Sequence, residues 1–126
     1  IAVADTIGVG TPRAVQAAMA AALQHYDVSS VAGHFHDTYG QALANTLACL
    51  EMGIARFETS IAGLGGCPYA KGATGNVATE DVVYMLQGMG IETGLDLDRL
   101  VDAAWFISGR LNRQPNSRVS VARRSR

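Results

Sequence analysis

Long apolar runs, nucleotide-binding motifs, cysteine and lysine are what this sequence has least of. No stretch approaches the roughly 20 apolar residues that a membrane-spanning helix needs, so no membrane partner is expected. The opening, Ile1-Ala2-Val3-Ala4-Asp5, has no basic region leading to a small-residue cleavage site, and the chain reads as soluble and unprocessed. No Gly-Lys-Ser/Thr phosphate loop occurs. Gly63-Leu64-Gly65-Gly66 lacks the spacing of a dinucleotide fingerprint and precedes a loop rather than a helix. The two cysteines, Cys49 in an apolar helical pattern and Cys67 in a glycine-rich loop, suggest no disulfide framework, which favours a reducing compartment. Lysine occurs once, at Lys71, against nine arginines, six of which follow the last acid, Asp102. No aromatic residue interleaves with those arginines and the net charge is -1. Residues 113–126 therefore read as a solvated or partly disordered arginine-rich tail, with no nucleic-acid partner.

What is present is βα punctuation. The 126 residues, 48% of them hydrophobic, suit one globular unit, here residues 1–112. Three short apolar runs each end in polar residues and a loop. Ile1 to Asp5 leads through Thr6 to Gly10 into a helix that Thr11 can cap, with Pro12 at its first position and a stripe of Val15, Ala18, Met19, Ala22 and Leu23. Ser30 to His36 leads, with Asp37 or Thr38 as cap, into a helix carrying Leu43, Leu47 and Leu50 and ending near Gly53. Ala55 to Ile61 opens into a loop from Ala62 to Ala78 with glycines at 63, 65, 66, 72 and 75. Thr79 then caps a helix with Glu80 and Asp81 in its first turn, where the helix dipole favours them, and with Val82, Val83, Leu86 and Met89 inward. A last helix, from about Asp96 to Leu111, is expected as a terminal packing element. Three such units neither cover both faces of a sheet nor close a barrel, which takes about 250 residues, so the chain is expected to be part of a larger α/β enzyme.

The chemistry-bearing residues sit where strands end. His34 and His36 are two apart, so on a strand both side chains leave the same face about 7 Å apart and can share one divalent ion. The alternative is a hydrogen-bonded structural pair. Their place at the carboxyl end of a strand, the rim where parallel barrels carry active sites, favours the ion. Asp37 points the other way and reads as a cap. Asp5 ends the preceding strand, and its carboxylate can ligate a metal, orient a substrate hydroxyl, or cap the amides of Thr6 or Ile7. His25 is explained by the terminus of the first helix. Cys67 lies in Gly63-Leu64-Gly65-Gly66-Cys67-Pro68-Tyr69, where glycines allow close approach of a substrate and Pro68 stiffens the turn. Its thiol, with an ordinary pKa of about 8.5, is either an acid-base group or inert. Asn76 supplies a carbonyl oxygen suited to a hard cation or to helix capping.

Taken together, Asp5-Thr6-Ile7-Gly8-Val9-Gly10-Thr11-Pro12, the run from Gly33-His34-Phe35-His36-Asp37 to Asn45, and Ala62-Gly63-Leu64-Gly65-Gly66-Cys67-Pro68-Tyr69 through Asn76 resemble the 3-hydroxy-3-methylglutaryl-CoA lyase family. The likeness extends to Ser117-Arg118-Val119. It implies the carboxyl-terminal βα units of a (β/α)₈ TIM barrel, incomplete in this chain. It also implies cleavage of 3-hydroxy-3-methylglutaryl-CoA to acetyl-CoA and acetoacetate in leucine degradation and ketone-body formation. On the resemblance, Mg²⁺ or Mn²⁺ is held by His34, His36 and Asn76, with a further aspartate ligand outside this chain. His34 takes part in proton transfer, Asp5 lies near substrate and metal, and Cys67 manages the proton of the acetyl-CoA carbanion. The implied partners are an acyl-CoA substrate and a second copy in a homodimer, and the implied location is the bacterial cytoplasm or the mitochondrial matrix.

Relatives that condense rather than cleave, the isopropylmalate and homocitrate synthases, continue the glycine loop with a charged Gly-Glu-Arg type sequence, whereas this chain has Gly-Gly-Cys-Pro-Tyr. A condensing synthase on the same barrel is one rival reading, and a non-catalytic fragment whose histidines only hydrogen-bond is another. The strands that would bring the remaining aspartate, its neighbouring arginine and another acid are not in this sequence. The purified 126-residue chain is therefore expected to show no lyase turnover in an acetoacetate-release assay, and measurable turnover would refute this.

Overall fold

In a computed structural model, described here for residues 1–66 and 74–124, three parallel strands form one sheet in the order β1-β2-β3. They are β1 (Ala2–Asp5), β2 (Ala32–Phe35) and β3 (Arg56–Glu58), connected by α1 (Pro12–Leu23) and α2 (Ala42–Glu51). α3 (Thr79–Gly88), α4 (Leu97–Arg110) and α5 (Arg118–Arg124) follow. The parallel βα units agree with the sequence reading. Their pattern is βαβαβ, with each crossover helix carrying an apolar face back to the sheet.

The sheet has two unlike faces. Phe35 is 1% exposed and packs with Val15, Met19, Ala42, Cys49, Ile54 and Val82 beneath the helices, with Val3 and Phe57 alongside. The opposite face carries rows fixed by register, Ala2, Ala32 and Arg56 in one and Ala4, His34 and Glu58 in the next. Alternation along each strand thus sends His34 to the helix-free face and Phe35 into the core.

Several expectations needed revision. In α2 the buried positions are Ala42, Asn45, Thr46, Ala48 and Cys49, while Leu43 only borders the core. The small side chains let this helix lie close to α1 and β2, and Asn45, buried there, donates from Nδ2 to the Gly10 carbonyl at 3.0 Å while its Oδ1 has no hydrogen-bond partner among the described residues. Of the two expected caps it is Asp37 that holds the first turn, accepting from the Ala42 amide at 3.1 Å. Ile61 belongs to a single 3₁₀ turn, Ile61–Gly63, rather than to β3. Ala18 on α1 is exposed, Met89 is 50% exposed and Leu111 49% exposed, so these residues lie outside the buried stripes.

The largest difference lies at residues 113–124. This stretch, expected as a solvated tail, turns back at Pro115 and forms α5 against α3 and α4. The acids of α3 hold it there. Asp81 accepts from the Arg118 and Val119 amides and from the Ser117 hydroxyl, completing the start of α5. Glu80 is fully buried, both its oxygens accept from the Ala62 amide, and Ser120 Oγ donates to its Oε1 at 2.8 Å. Adjacent acids placed by dipole reasoning at a solvated first turn are instead the polar core of the carboxyl-terminal half. Trp105 adds a hydrogen bond from Nε1 to the Ser120 carbonyl, and Arg124 lies 4.0 Å over its ring.

Removing the donor to a buried carboxylate costs about 1.5–3 kcal/mol. Ser120→Ala should lower the stability of the protein carrying this chain by that amount in urea unfolding, and an unchanged midpoint would show that Glu80 does not depend on it. Burial pushes the Cys49 thiol up to about 11, so peptide mapping after brief alkylation at neutral pH should find Cys49 unmodified in folded protein and modified only in denaturant.

Candidate active site

The helix-free face converges at the carboxyl ends of β1 and β2. The His34 and His36 rings stack there with centroids 5.4 Å apart and planes 24° from parallel, which places both on one side as the spacing predicts. Each ring is held through Nδ1. That of His34 lies 2.7 Å from Glu58 Oε1, and that of His36 lies 3.1 Å from the Asp5 carbonyl. A backbone carbonyl only accepts, so His36 Nδ1 carries the hydrogen and, in the neutral ring, Nε2 keeps a lone pair.

Asn76 is brought to the histidines by backbone pairing. Residues 74–78 return across the end of β2, where His36 and Asn76 form an antiparallel bridge and the Val77 amide donates to the Phe35 carbonyl at 2.9 Å. On the other side Ser60 pairs with Ala78. Asn76 Nδ2 donates to the Leu64 carbonyl at 3.0 Å, which fixes the amide and leaves Oδ1 buried with no hydrogen-bond partner among the described residues. Helix capping, the alternative role for Asn76, is not what it does: Ala78 precedes α3.

Asp5 sits at the same rim but spends its carboxylate on the loop. Oδ1 accepts from the Gly8 and Val9 amides at 3.1 and 3.2 Å, and Oδ2 from Gly10 at 2.8 Å. The capped amides are thus two to three residues farther along than Thr6 and Ile7. Its backbone carbonyl, not its carboxylate, reaches His36. Cys67 lies outside the described residues.

Two imidazole nitrogens and an orphaned amide oxygen form a donor set that fits a hard or borderline divalent cation. The described residues hold no cluster of three His, Cys, Asp or Glu, so any such ion relies on Asn76 and on ligands beyond those residues. Glu58 was missed in the sequence. The signal was there, since β3 ends in an acid that parallel register sets beside His34, but strand order had to be known to use it.

The HMGL-like family model matches residues 1–107. The chain belongs to the HMGL-like family. Its three βα units are therefore units of a (β/α)₈ barrel, and the helix-free face of the sheet is the barrel interior. It is 57% identical over 122 residues to the mitochondrial hydroxymethylglutaryl-CoA lyase of Bos taurus, covering 97% of this chain and 38% of that protein. Among solved structures it resembles hydroxymethylglutaryl-CoA lyase from Pseudomonas aeruginosa, with TM-score 0.91 and 55% identity over 96% of this chain and 40% of that one. A lyase from Acinetobacter baumannii, in complex with coenzyme A and 3-methylmalate, matches with TM-score 0.92 and 38% identity over 98% of this chain and 40% of that one. The chain thus spans about two fifths of the length of these HMGL-like relatives.

In this HMGL-like chain the return of residues 74–78 depends on Gly75, where a Cβ would overlap the carbonyl oxygens of Gly63 and Gly65. Gly75→Ala should therefore abolish the cooperative unfolding transition or shift it by several kcal/mol. Gly88→Ala, whose Cβ meets open space at the end of α3, should unfold at the same denaturant concentration or a higher one. Equal midpoints for the two variants would refute the tight junction.

Proposed function

We propose that the protein carrying this chain is a hydroxymethylglutaryl-CoA lyase, cleaving 3-hydroxy-3-methylglutaryl-CoA to acetyl-CoA and acetoacetate with a divalent cation, Mg²⁺ or Mn²⁺. The observation that carries this reading is the buried Oδ1 of Asn76, unpartnered among the described residues, on a residue whose backbone pairs with His36, together with two imidazoles held through Nδ1 at a barrel rim. The names of the bovine and bacterial relatives supply the substrate. Leucine degradation and ketone-body formation are the corresponding settings. On the same resemblance the full-length enzyme is a homodimer, in the cytoplasm of a bacterium or the mitochondrial matrix of a eukaryote; the bovine relative is named as mitochondrial.

Retro-Claisen cleavage needs the tertiary hydroxyl to lose its proton while the thioester enolate that departs gains one. When bound, the cation supplies Lewis-acid stabilisation of the charge that develops on the hydroxyl oxygen. His34, His36 and Asn76 are the residues of this chain that would hold it. Proton transfer is assigned to His34 on the resemblance, a role open to its Nε2 only when that nitrogen does not hold the cation. Asp5 acts by holding residues 8–10 and, through its carbonyl, the His36 ring. Cys67 is assigned the proton of the acetyl-CoA carbanion, a task suited to a thiol whose ordinary pKa of about 8.5 lies near working pH.

The competing reading is a condensing synthase, which needs no thiol step. Cys67→Ala in the full-length enzyme should reduce kcat for acetoacetate formation by about 100-fold or more, the usual worth of a positioned acid-base group. His36→Ala should abolish Mn²⁺ binding followed by the electron paramagnetic resonance of the free ion. Full turnover in Cys67→Ala, with condensation of a 2-oxo acid, would replace the lyase by the synthase.

A further inference from the structure

We propose that Glu58 is a positioning residue: it fixes the tautomer and ring orientation of His34 so that Nε2 presents its lone pair to the site. The inference rests on the metal-site reading given under Proposed function and extends it to a residue to which that reading gave no part. Glu58 stands beside His34 in the parallel register of β2 and β3, on the same face, and its Oε1 lies 2.7 Å from His34 Nδ1. On the other side of His34 the row holds Ala4, whose methyl group offers no hydrogen bond. Arg56, one row back on that face, makes no ion pair with Glu58 among the described residues. Among the described residues the carboxylate has His34 as its hydrogen-bond partner.

What the contact supplies is direction. An ionised carboxylate only accepts, so it holds the hydrogen of a neutral imidazole on Nδ1 and leaves the electron pair on Nε2. Ligating a cation uses that electron pair, and while Nε2 is so engaged the same nitrogen does not also receive the hydroxyl proton. His36 is treated alike by the Asp5 carbonyl, so the two stacked rings are oriented by two acceptor-only partners on the strands either side of β2. Carboxylate or carbonyl partners on the far nitrogen of a ligating imidazole typically govern metal affinity by 10- to 100-fold.

The test uses the full-length protein in two measurements. In the metal-free protein at a pH above the ordinary histidine range, long-range ¹⁵N–¹H spectra should show His34 as the Nδ1–H tautomer. Glu58→Ala should move it toward the Nε2–H form that free imidazole side chains favour, leaving His36 unchanged. Mn²⁺ titration should then show affinity lowered about 10- to 100-fold in Glu58→Ala. Glu58→Gln, whose amide oxygen can still accept from Nδ1, should recover much of it. Wild-type tautomer and wild-type affinity in Glu58→Ala, while His36→Ala fails to bind, would overturn the role of Glu58 and leave the metal site standing. Failure of the wild-type protein itself to bind Mn²⁺ would overturn both.

Discussion

The backbone pairing of residues 75–77 with the end of β2 is the constraint on which the site depends. Without the hydrogen bonds from Asp37 to the Gly75 carbonyl and from Val77 to the Phe35 carbonyl, nothing would bring Asn76 from a distant part of the sequence to the histidines. The pairing needs a residue with no side chain at 75, because the chain passes against the carbonyls of Gly63 and Gly65. It also needs the turn at Ile61–Gly63 to hold its shape, although Ala62 sits at φ 59°, a left-handed conformation that favours glycine. Glu80 offsets that strain by accepting from the Ala62 amide with both oxygens. The buried acid of α3 and the position of the amide oxygen at the rim are therefore two ends of one arrangement.

The same arrangement explains why the carboxyl-terminal helix belongs with the site. Ser120 donates to Glu80, and Asp81 holds the first turn of α5, so docking of residues 117–124 is coupled to the turn that precedes the glycine-rich loop. Adjacent acids on a helix point about 100° apart, which lets Glu80 reach inward to Ala62 while Asp81 reaches along the surface to Ser117. The Asn116 amide, donating to the Ala62 carbonyl at 2.9 Å, closes the connection from the backbone side.

How much of this could be read from residues alone followed from the range of each interaction. Alternation on a strand is local, and it places His34 and His36 on one face without knowledge of any neighbour. The helices α1 and α4 have apolar spacing and terminal signals within themselves, and their limits agree with the reading to within a residue or two. The core face of α2 was misjudged because leucine spacing describes hydrophobicity, whereas close approach to α1 selected Ala42, Thr46 and Cys49. The arginines after Asp102 suggested solvent, but α5 is held by hydroxyls and by acids about 40 residues earlier, a pairing that no local pattern carries. Glu58 and the Asn76 pairing likewise required the order of strands.

Asp5 joins loop order to the rim. Three amides converge on its two oxygens. Turning it outward would release Gly8, Val9 and Gly10 together, and the Gly10 carbonyl would lose the frame in which Asn45 Nδ2 reaches it. The same residue's backbone carbonyl sets the His36 ring, so a loosened loop would be felt at the imidazole. Loop order and ring direction are thus joined in one residue. Glu58, on the strand at the other side of β2, reaches His34 with its side chain, and no loop amide is among its partners in the described residues.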